Sequence, residues 1–452
     1  MTKAKYTKYI DSKVSWLGMI PEHWEVRRIK YVFKELDSRS KTGKEDLLSV
    51  SQYTGVTRKS DKVSEGESIS NAKTLEGYKI VAKGNLVINI MLAWNGSLGI
   101  SKYDGIVSPA YCVYKNLIGD EGYFGYLFKT KNAQKEFKKQ STGIIDSRLR
   151  MYTNSFFNIK TVLPPKQEQI TIADFLDYKT EMINRFIKKK KQLIKLLNEQ
   201  KAAIINQAVT KGLDTNVEMK DSGIEWLGEI PEHWECWKMS RAYKYFGSGT
   251  TPKSGLKKYY ENGTIPWVNT GDLNNGILNE CEQKITDLAI KDYSVLKTYP
   301  KGTISIAMYG ASIGKISIVD FKFTSNQACC NINTSKILFD NFTFYWFIGN
   351  KARIVSLGYG GTQPNISQNL VKSLKITVPP KTEQKQIVHY IETETQKIDK
   401  TISTIKKEIT LVEEYKTALI AEAVTGKIDV RSFKLPDKET PLAMVAEEGE
   451  KY

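Results

Sequence analysis

The 452 residues carry 67 Lys and Arg against 50 Asp and Glu, a net charge of +17, with 40% hydrophobic and 11% aromatic residues. This composition excludes a disordered chain and can build about three domains of ordinary size. The longest apolar stretch, near Leu86–Trp94, is broken by Asn89, so no segment approaches the ~20 apolar residues of a membrane helix, and the opening MTKAKYTKYIDSK has no apolar signal core.

Along the chain the first distinctive element is WLGMIPEHWE, Trp16–Glu25. Its Trp24 is expected to be buried and its His23 bonded to backbone, as a structural cap rather than an acid/base pair with Glu22 or Glu25. A mixed middle follows, with β-rich runs such as Asn85–Leu92 broken by Gly, Asn and Asp turns, then a helical stretch over 123–140. LPPKQEQI, Leu163–Ile170, opens a run free of Gly and Pro over 167–209, and QAVTKG closes it at Gly212.

The whole series then recurs. WLGEIPEHWE stands at Trp226–Glu235, VPPKTEQKQI at Val378–Ile387 and EAVTGK at Glu422–Lys427, offsets of 210, 215 and 215. The chain is a tandem duplication with alike ends and unlike middles. The expected segments are 1–25, a first middle at 26–166, a helix at 167–212, the second opener at 213–235, a second middle at 236–381, a helix at 382–426 and a tail at 427–452. The fold class is therefore α+β: two mixed α/β domains and two long helices, related by a pseudo-twofold.

A heptad frame on Ile172, Leu176, Lys179, Ile183, Phe186, Lys190, Leu193, Leu197, Gln200 and Ile204 is apolar at seven of ten positions, and so is its copy running from Ile387 to Leu419. Sustained heptads with charged flanks predict a coiled coil. The first helix is +3 and the second −2. Opposite signs favour pairing with each other, in antiparallel order, with the globules at the two ends of a rod.

The helices nearly cancel, so the rest of the chain holds +16. A basic surface of that size fits a polyanion, most often nucleic acid. Candidate contacts are loop residues that mix basic, amide and aromatic groups: Gln52, Tyr53, Arg58 and Lys59; Arg148 and Arg150; Thr250, Lys253 and Asn269; Tyr359, Thr362, Gln363 and Asn365. Arg suits guanine edges and Asn or Gln adenine edges, whereas Lys59 and Lys253 suit phosphates. The Lys188–Lys191 run reads as a solvated helix face.

Motifs for catalysis are not evident. Gly310–Ser317 (GASIGKIS) is one residue too short for a phosphate-wrapping loop, and no GxGxxG follows a strand. The Pro-Pro pairs head helices and lack the Asn/Asp-Pro-Pro-aromatic setting of an amino-methylating enzyme. Five scattered Cys and three His fit reduced thiols, a cytoplasmic location and no metal centre of the chain's own.

The repeated order of WLGxIPEHW, divergent middle, PPxxEQ helix start and AVTxG helix end resembles the specificity subunit of type I restriction-modification enzymes, over nearly the whole chain. GTTPKSG (Gly249–Gly255), IPWVNTGDL (Ile265–Leu273) and GGTQPNIS (Gly360–Ser367) look like pieces of that family's target-recognition domains. STGIIDSRLR (Ser141–Arg150) lacks the last of these, which implies a differently built loop in the first half. The resemblance implies a non-catalytic chain whose partners are double-stranded DNA, two methyltransferase subunits and two restriction-translocase subunits. S-adenosylmethionine, ATP and Mg²⁺ would be used by those partners. The helices would set the spacing of a bipartite site and dock the methyltransferases, with Ile183, Leu197, Ile398 and Val412 as candidate docking residues. Competing readings are the specificity chain of another type of bipartite-site enzyme, a single-chain nuclease or methyltransferase, and a coiled-coil scaffold that reads no sequence.

Overall fold

The computed structural model describes residues 4–62, 72, 74–359 and 365–436. The chain divides into two compact units, Met1–Lys190 with Lys407–Tyr452 and Lys191–Lys406. Two long helices, α1 (Lys166–Lys211) and α2 (Lys381–Val424), each contribute one stretch to either unit. A Pro-Pro pair precedes each, and each ends at a glycine in the left-handed region, Gly212 (φ 77) and Gly426 (φ 73). This is the conformation that stops a helix while satisfying its last carbonyls.

Space also requires these glycines. A Cβ on Gly426 would lie 2.4 Å from Pro21 Cδ and 3.0 Å from the Trp24 ring, and one on Gly212 would lie 3.2 Å from the Trp234 ring. The AVTxG end of one repeat therefore packs on the IPEHW opener of the other. Each unit combines the opener and middle of one repeat with the helix end of its partner repeat.

Within each unit the helices run antiparallel. In the first, Lys416 Nζ donates to Asn184 Oδ1 (2.8 Å) and Lys190 pairs with Glu408 at 2.7 Å. In the second, Lys201 pairs with Asp399 at 2.7 Å. Basic α1 meeting acidic α2 is what the helix charges require.

The seam corrects the expected frame at alternate positions. Ile183, Leu197, Ile398, Ile405 and Val412 are buried or half-buried, as a seam demands. Between them Ile187, Thr395, Ile402 and Ile409 are buried, while Phe186, Leu193 and Tyr415 are exposed. The second seam residue thus follows the first by four positions, not three. The clue lay in α2, where the correct stripe holds Ile402 and Ile409 and the rejected one Thr401 and Glu408.

Each middle is built on the same four-stranded antiparallel sheet. In the first unit, β1 (Glu25–Arg28), β2 (Phe33–Leu36), β3 (Leu48–Ser51), β4 (Gly55–Arg58), β5 (Leu86–Asn89), β6 (Leu98–Ile100), β7 (Tyr111–Asn116) and β8 (Lys160–Leu163) give a central sheet of order β2-β7-β5-β6. The ladder of β1 with β8 and the hairpin of β3 with β4 stand apart from that sheet. In the second unit, β9 (Glu235–Lys238), β10 (Tyr245–Gly247), β11 (Ile277–Leu278), β12 (Thr303–Ala307), β13 (Ile316–Val319), β14 (Cys329–Asn333) and β15 (Lys375–Val378) give β10-β14-β12-β13, with β11 added in parallel at the edge and β9 paired to β15. Every residue of β5 and β12 is buried, which accounts for their continuous apolar runs. Aromatic side chains fill the cores, among them Phe33, Phe124, Phe128 and Phe156 in the first and Trp234, Tyr243 and Trp346 in the second.

The helix starts explain two further motif residues. Glu168, buried in the first turn of α1, accepts from Trp24 Nε1 (3.0 Å) and from the Tyr6 hydroxyl, and its other oxygen meets His23 Nε2 at 2.9 Å. His23 therefore bonds a carboxylate and not backbone. The equivalent Glu383 meets His233 Nε2 at 2.9 Å, while Trp234 Nε1 is buried without a partner among the described residues. Gln169 and Gln384 each donate back to the carbonyl of the proline at the head of their helix, at 2.7 and 2.8 Å. The EQ of PPxxEQ thus locks opener and helix start together.

Candidate nucleic-acid interface

In the first unit loop 142–150 lies at one end of the central sheet, while Arg58 and Lys59, at the far end of the neighbouring hairpin, lie toward the other end, where Arg58 covers Tyr103. Loop 142–150 is closed by two backbone bonds between Thr142 and Arg150, at 2.9 and 2.8 Å. The next residue seats it: Met151 N donates to the carbonyl of Ile90, just beyond β5, at 2.8 Å. The tip is bare. Ile144 is 99% exposed, and Arg148 projects from the exposed turn Asp146–Arg148. The hairpin of β3 and β4 lies beside β6, with Gln52 and the exposed Tyr53 at its turn. A Cβ on Gly99 would come 3.2 Å from the Gly55 Cα, so the strands can approach this closely only as glycines.

Not every candidate is free to touch a ligand. Arg58 Nε pairs with Asp46 at 3.0 Å and its guanidinium lies 4.9 Å over the Tyr103 ring. Arg150 donates to its own loop's carbonyls, Leu149 O at 2.8 Å and Ser147 O at 3.4 Å. Both shape the loops that carry them. Gln52, Tyr53 and Arg148 are exposed, as is the paired Arg58, with Lys59 half-buried at the end of the hairpin.

The second unit repeats the frame with other residues. Tyr359 and Asn365 exchange two backbone bonds, 3.0 and 2.7 Å, and Ile366 N donates to Met308 O at 2.7 Å, just beyond β12. Met308 and Ile366 stand where Ile90 and Met151 stand in the first unit. The loops with and without the QPNIS element are therefore framed alike. Tyr359 is 78% exposed; Thr362 and Gln363 lie outside the described residues.

The GTTPKSG and IPWVNTGDL segments join the same end. Thr251 Oγ1 donates to Gln327 Oε1 (2.8 Å) and Thr250 O accepts from Trp267 Nε1 (3.2 Å). Neighbouring Ala328 O accepts from Met308 N at 2.8 Å, which links these segments to the seat of the second loop. Asn269 is held within its turn, its N–H donating to Asp272 Oδ2 at 2.7 Å and its side chain to Gln283 Oε1 at 3.2 Å. Lys253 is anchored through its backbone to the Tyr293 hydroxyl, which accepts at 3.1 Å.

Electrostatically both sites are crowded with cations. Lys129, whose ammonium reaches toward Gly55, is held below the usual lysine range first by burial and then by Lys102 and Lys416. Lys351, beside Gly314 in the turn after β12, is lowered by burial and then by Lys315. Such crowding of like charge is relieved by an anion. The docking candidates Ile183, Leu197, Ile398 and Val412 lie on the inward seam of the long helices, so their apolar surface is already used inside the units.

Comparison with known proteins matches this arrangement. A 28% identical relative, the type I restriction enzyme MjaVIII specificity subunit of Methanocaldococcus jannaschii, aligns over 92% of this chain and 95% of its own. The fold is shared with the HsdS subunit of Thermoanaerobacter tengcongensis (TM-score 0.53, 14% identity, 90% of this chain and 98% of that one). It is also shared with a chain solved in work on complex assembly and conformational transition of the type I R-M system (TM-score 0.67, 14% identity, 90% and 98%). The model of the type I restriction modification DNA specificity domain matches twice, at residues 21–196 and 231–411, and on that double match this chain belongs to the type I restriction-modification DNA specificity family.

Proposed function

We propose that the chain is the non-catalytic DNA-specificity subunit of a type I restriction-modification complex, each unit reading one half of a bipartite duplex site. The observation that carries this is the pair of loops, 142–150 and 359–365, seated on equivalent strand ends and carrying unlike tips. A shared frame with different side chains is what two readers of different sequences need. Arg148 has the donors for a guanine edge and Gln52 for an adenine edge, while Lys59 and Lys253 supply phosphate contacts that set position. Arg58, Arg150 and Asn269 hold the loops in shape.

The helices act as spacer between the half-sites. Docking of two methyltransferase subunits uses outward residues such as Leu196 (59% exposed) and Leu411 (64% exposed), not the seam. Two restriction-translocase subunits complete the complex. Methyl donor, ATP and Mg²⁺ belong to those partners. No described helix is long and apolar enough to cross a membrane.

The test is purified chain alone and with its methyltransferase. Alone it should bind duplex DNA with a steep salt dependence and transfer no methyl group; with the partner, methylation should appear at a bipartite site. Methyl transfer by chain shown free of other subunits would overturn the reading.

A further inference from the structure

The ladders that close each middle hold like charges against each other. Arg28 on β1 is in register with Lys160 on β8, and Lys238 on β9 with Lys375 on β15. Cross-strand partners lie about 5 Å apart on one face, where like charges destabilise the sheet. All four side chains are exposed, and none has an ion-pair partner among the described residues. The identities differ between repeats, Arg-Lys and Lys-Lys, yet the cation pair occurs in both.

In the first unit the pair lines an open cleft of about 690 Å³ with Lys13, Arg27, Tyr31 and Ile118; Arg27 is held by Glu25 at 2.8 Å, and no carboxylate lines the cleft itself. Lys13 holds φ 53, whereas Gly223 stands at the matching place of the second repeat with φ 65. A lysine in that conformation is strained where glycine is not. Unfavourable backbone and unfavourable charge pairing thus coincide at one cleft.

The cleft is not part of the reading loop. Loop 142–150 sits at the end of the sheet where Asn89 pairs with Tyr111, and Ile118 follows the far end of β7. The strand from Tyr111 to Asn116, five steps of about 3.3 Å, already spans roughly 17 Å. That is about five base pairs of duplex rise.

We infer that each cation pair is a second, sequence-independent contact, clamping a DNA backbone phosphate away from the reading loop, and that Lys13 strengthens the clamp of the first unit. The scaffold position fits a phosphate ligand: a contact common to both repeats can serve any target only if it reads no base. This rests on the DNA-reading function proposed above. It adds that scaffold, and not loops alone, touches the duplex.

The experiment compares the full chain with R28Q/K160Q, K238Q/K375Q and K13G. Measurements are thermal stability and affinity for a site-containing and a scrambled duplex across a salt series. Removing repulsion or strain should leave each variant at least as stable as the parent, so weaker binding cannot come from unfolding. Each double variant should lose about one unit of the log–log salt slope, at ~0.9 per phosphate, and K13G less than one, with the preference for the site unchanged. Parental slopes in stable variants would overturn the clamp. So would parental slopes with lost assembly onto the methyltransferase, which would assign the cations to an acidic protein surface. If the parent itself bound neither duplex, the DNA-reading function would fall, a result distinct from failure of the clamp.

Discussion

The loops at 142–150 and 359–365 share a two-bond closure and a seat on the residue after a buried strand, but they are closed by different residues, Thr142 with Arg150 in one and Tyr359 with Asn365 in the other, and their tip sequences are unlike. The carboxylates at the helix starts show the opposite balance. Glu168 and Glu383 occupy one motif position, yet Glu168 accepts from Tyr6, His23 and Trp24, while Glu383 meets His233 and leaves Trp234 Nε1 buried without a partner among the described residues. The difference teaches where duplication leaves freedom. Loop tips diverge because nothing in the frame depends on them. The helix start keeps its residues, and its energetics diverge only through what the flanking segments bring: Tyr6 has Asn216 as its counterpart in the second repeat.

The largest effect should fall on the better-bonded carboxylate. Glu168→Ala should lower stability by about 3 kcal/mol, since it strands a buried indole and a phenol, against about 1 kcal/mol for Glu383→Ala. Thermal unfolding of the two variants measures this, and equal losses would break the comparison. Arg148→Ala should come next, reducing discrimination at one half-site by about 1–3 kcal/mol with the fold intact, if it makes a two-bond contact to guanine. Arg150→Ala should be smallest, about 1 kcal/mol of stability through the carbonyls it leaves unmet, with base preference unchanged. A base-preference profile altered by Arg150→Ala and untouched by Arg148→Ala would reverse the roles assigned to the two arginines.

Much of the scaffold was legible because it is written twice. The openers, the Pro-Pro starts and the AVTxG ends marked the helix limits, and the opposite helix charges anticipated Lys190–Glu408 and Lys201–Asp399. The heptad phase was misread because two apolar stripes, Phe186–Leu193 and Ile187–Ile194, lie side by side on α1. Loop roles were the least legible. An arginine's donors take whatever acceptor the fold supplies, and neither Asp46 against Arg58 nor the Leu149 carbonyl against Arg150 is visible in composition or spacing. The likeness of the loop frames was hidden for the same reason, since backbone bonds from Met151 to Ile90 and from Ile366 to Met308 leave no residue signature.

The central claim is that each unit reads one half of the target by itself. The direct measurement is a map of methylated sites in cells whose specificity chain has residues 26–162 replaced by the matching middle of a relative, with both methyltransferase and α2 left unaltered. The account predicts that one half-site changes to that of the donor while the other half-site and the gap between them stay as they were. A change in both half-sites together, or in neither, would contradict it.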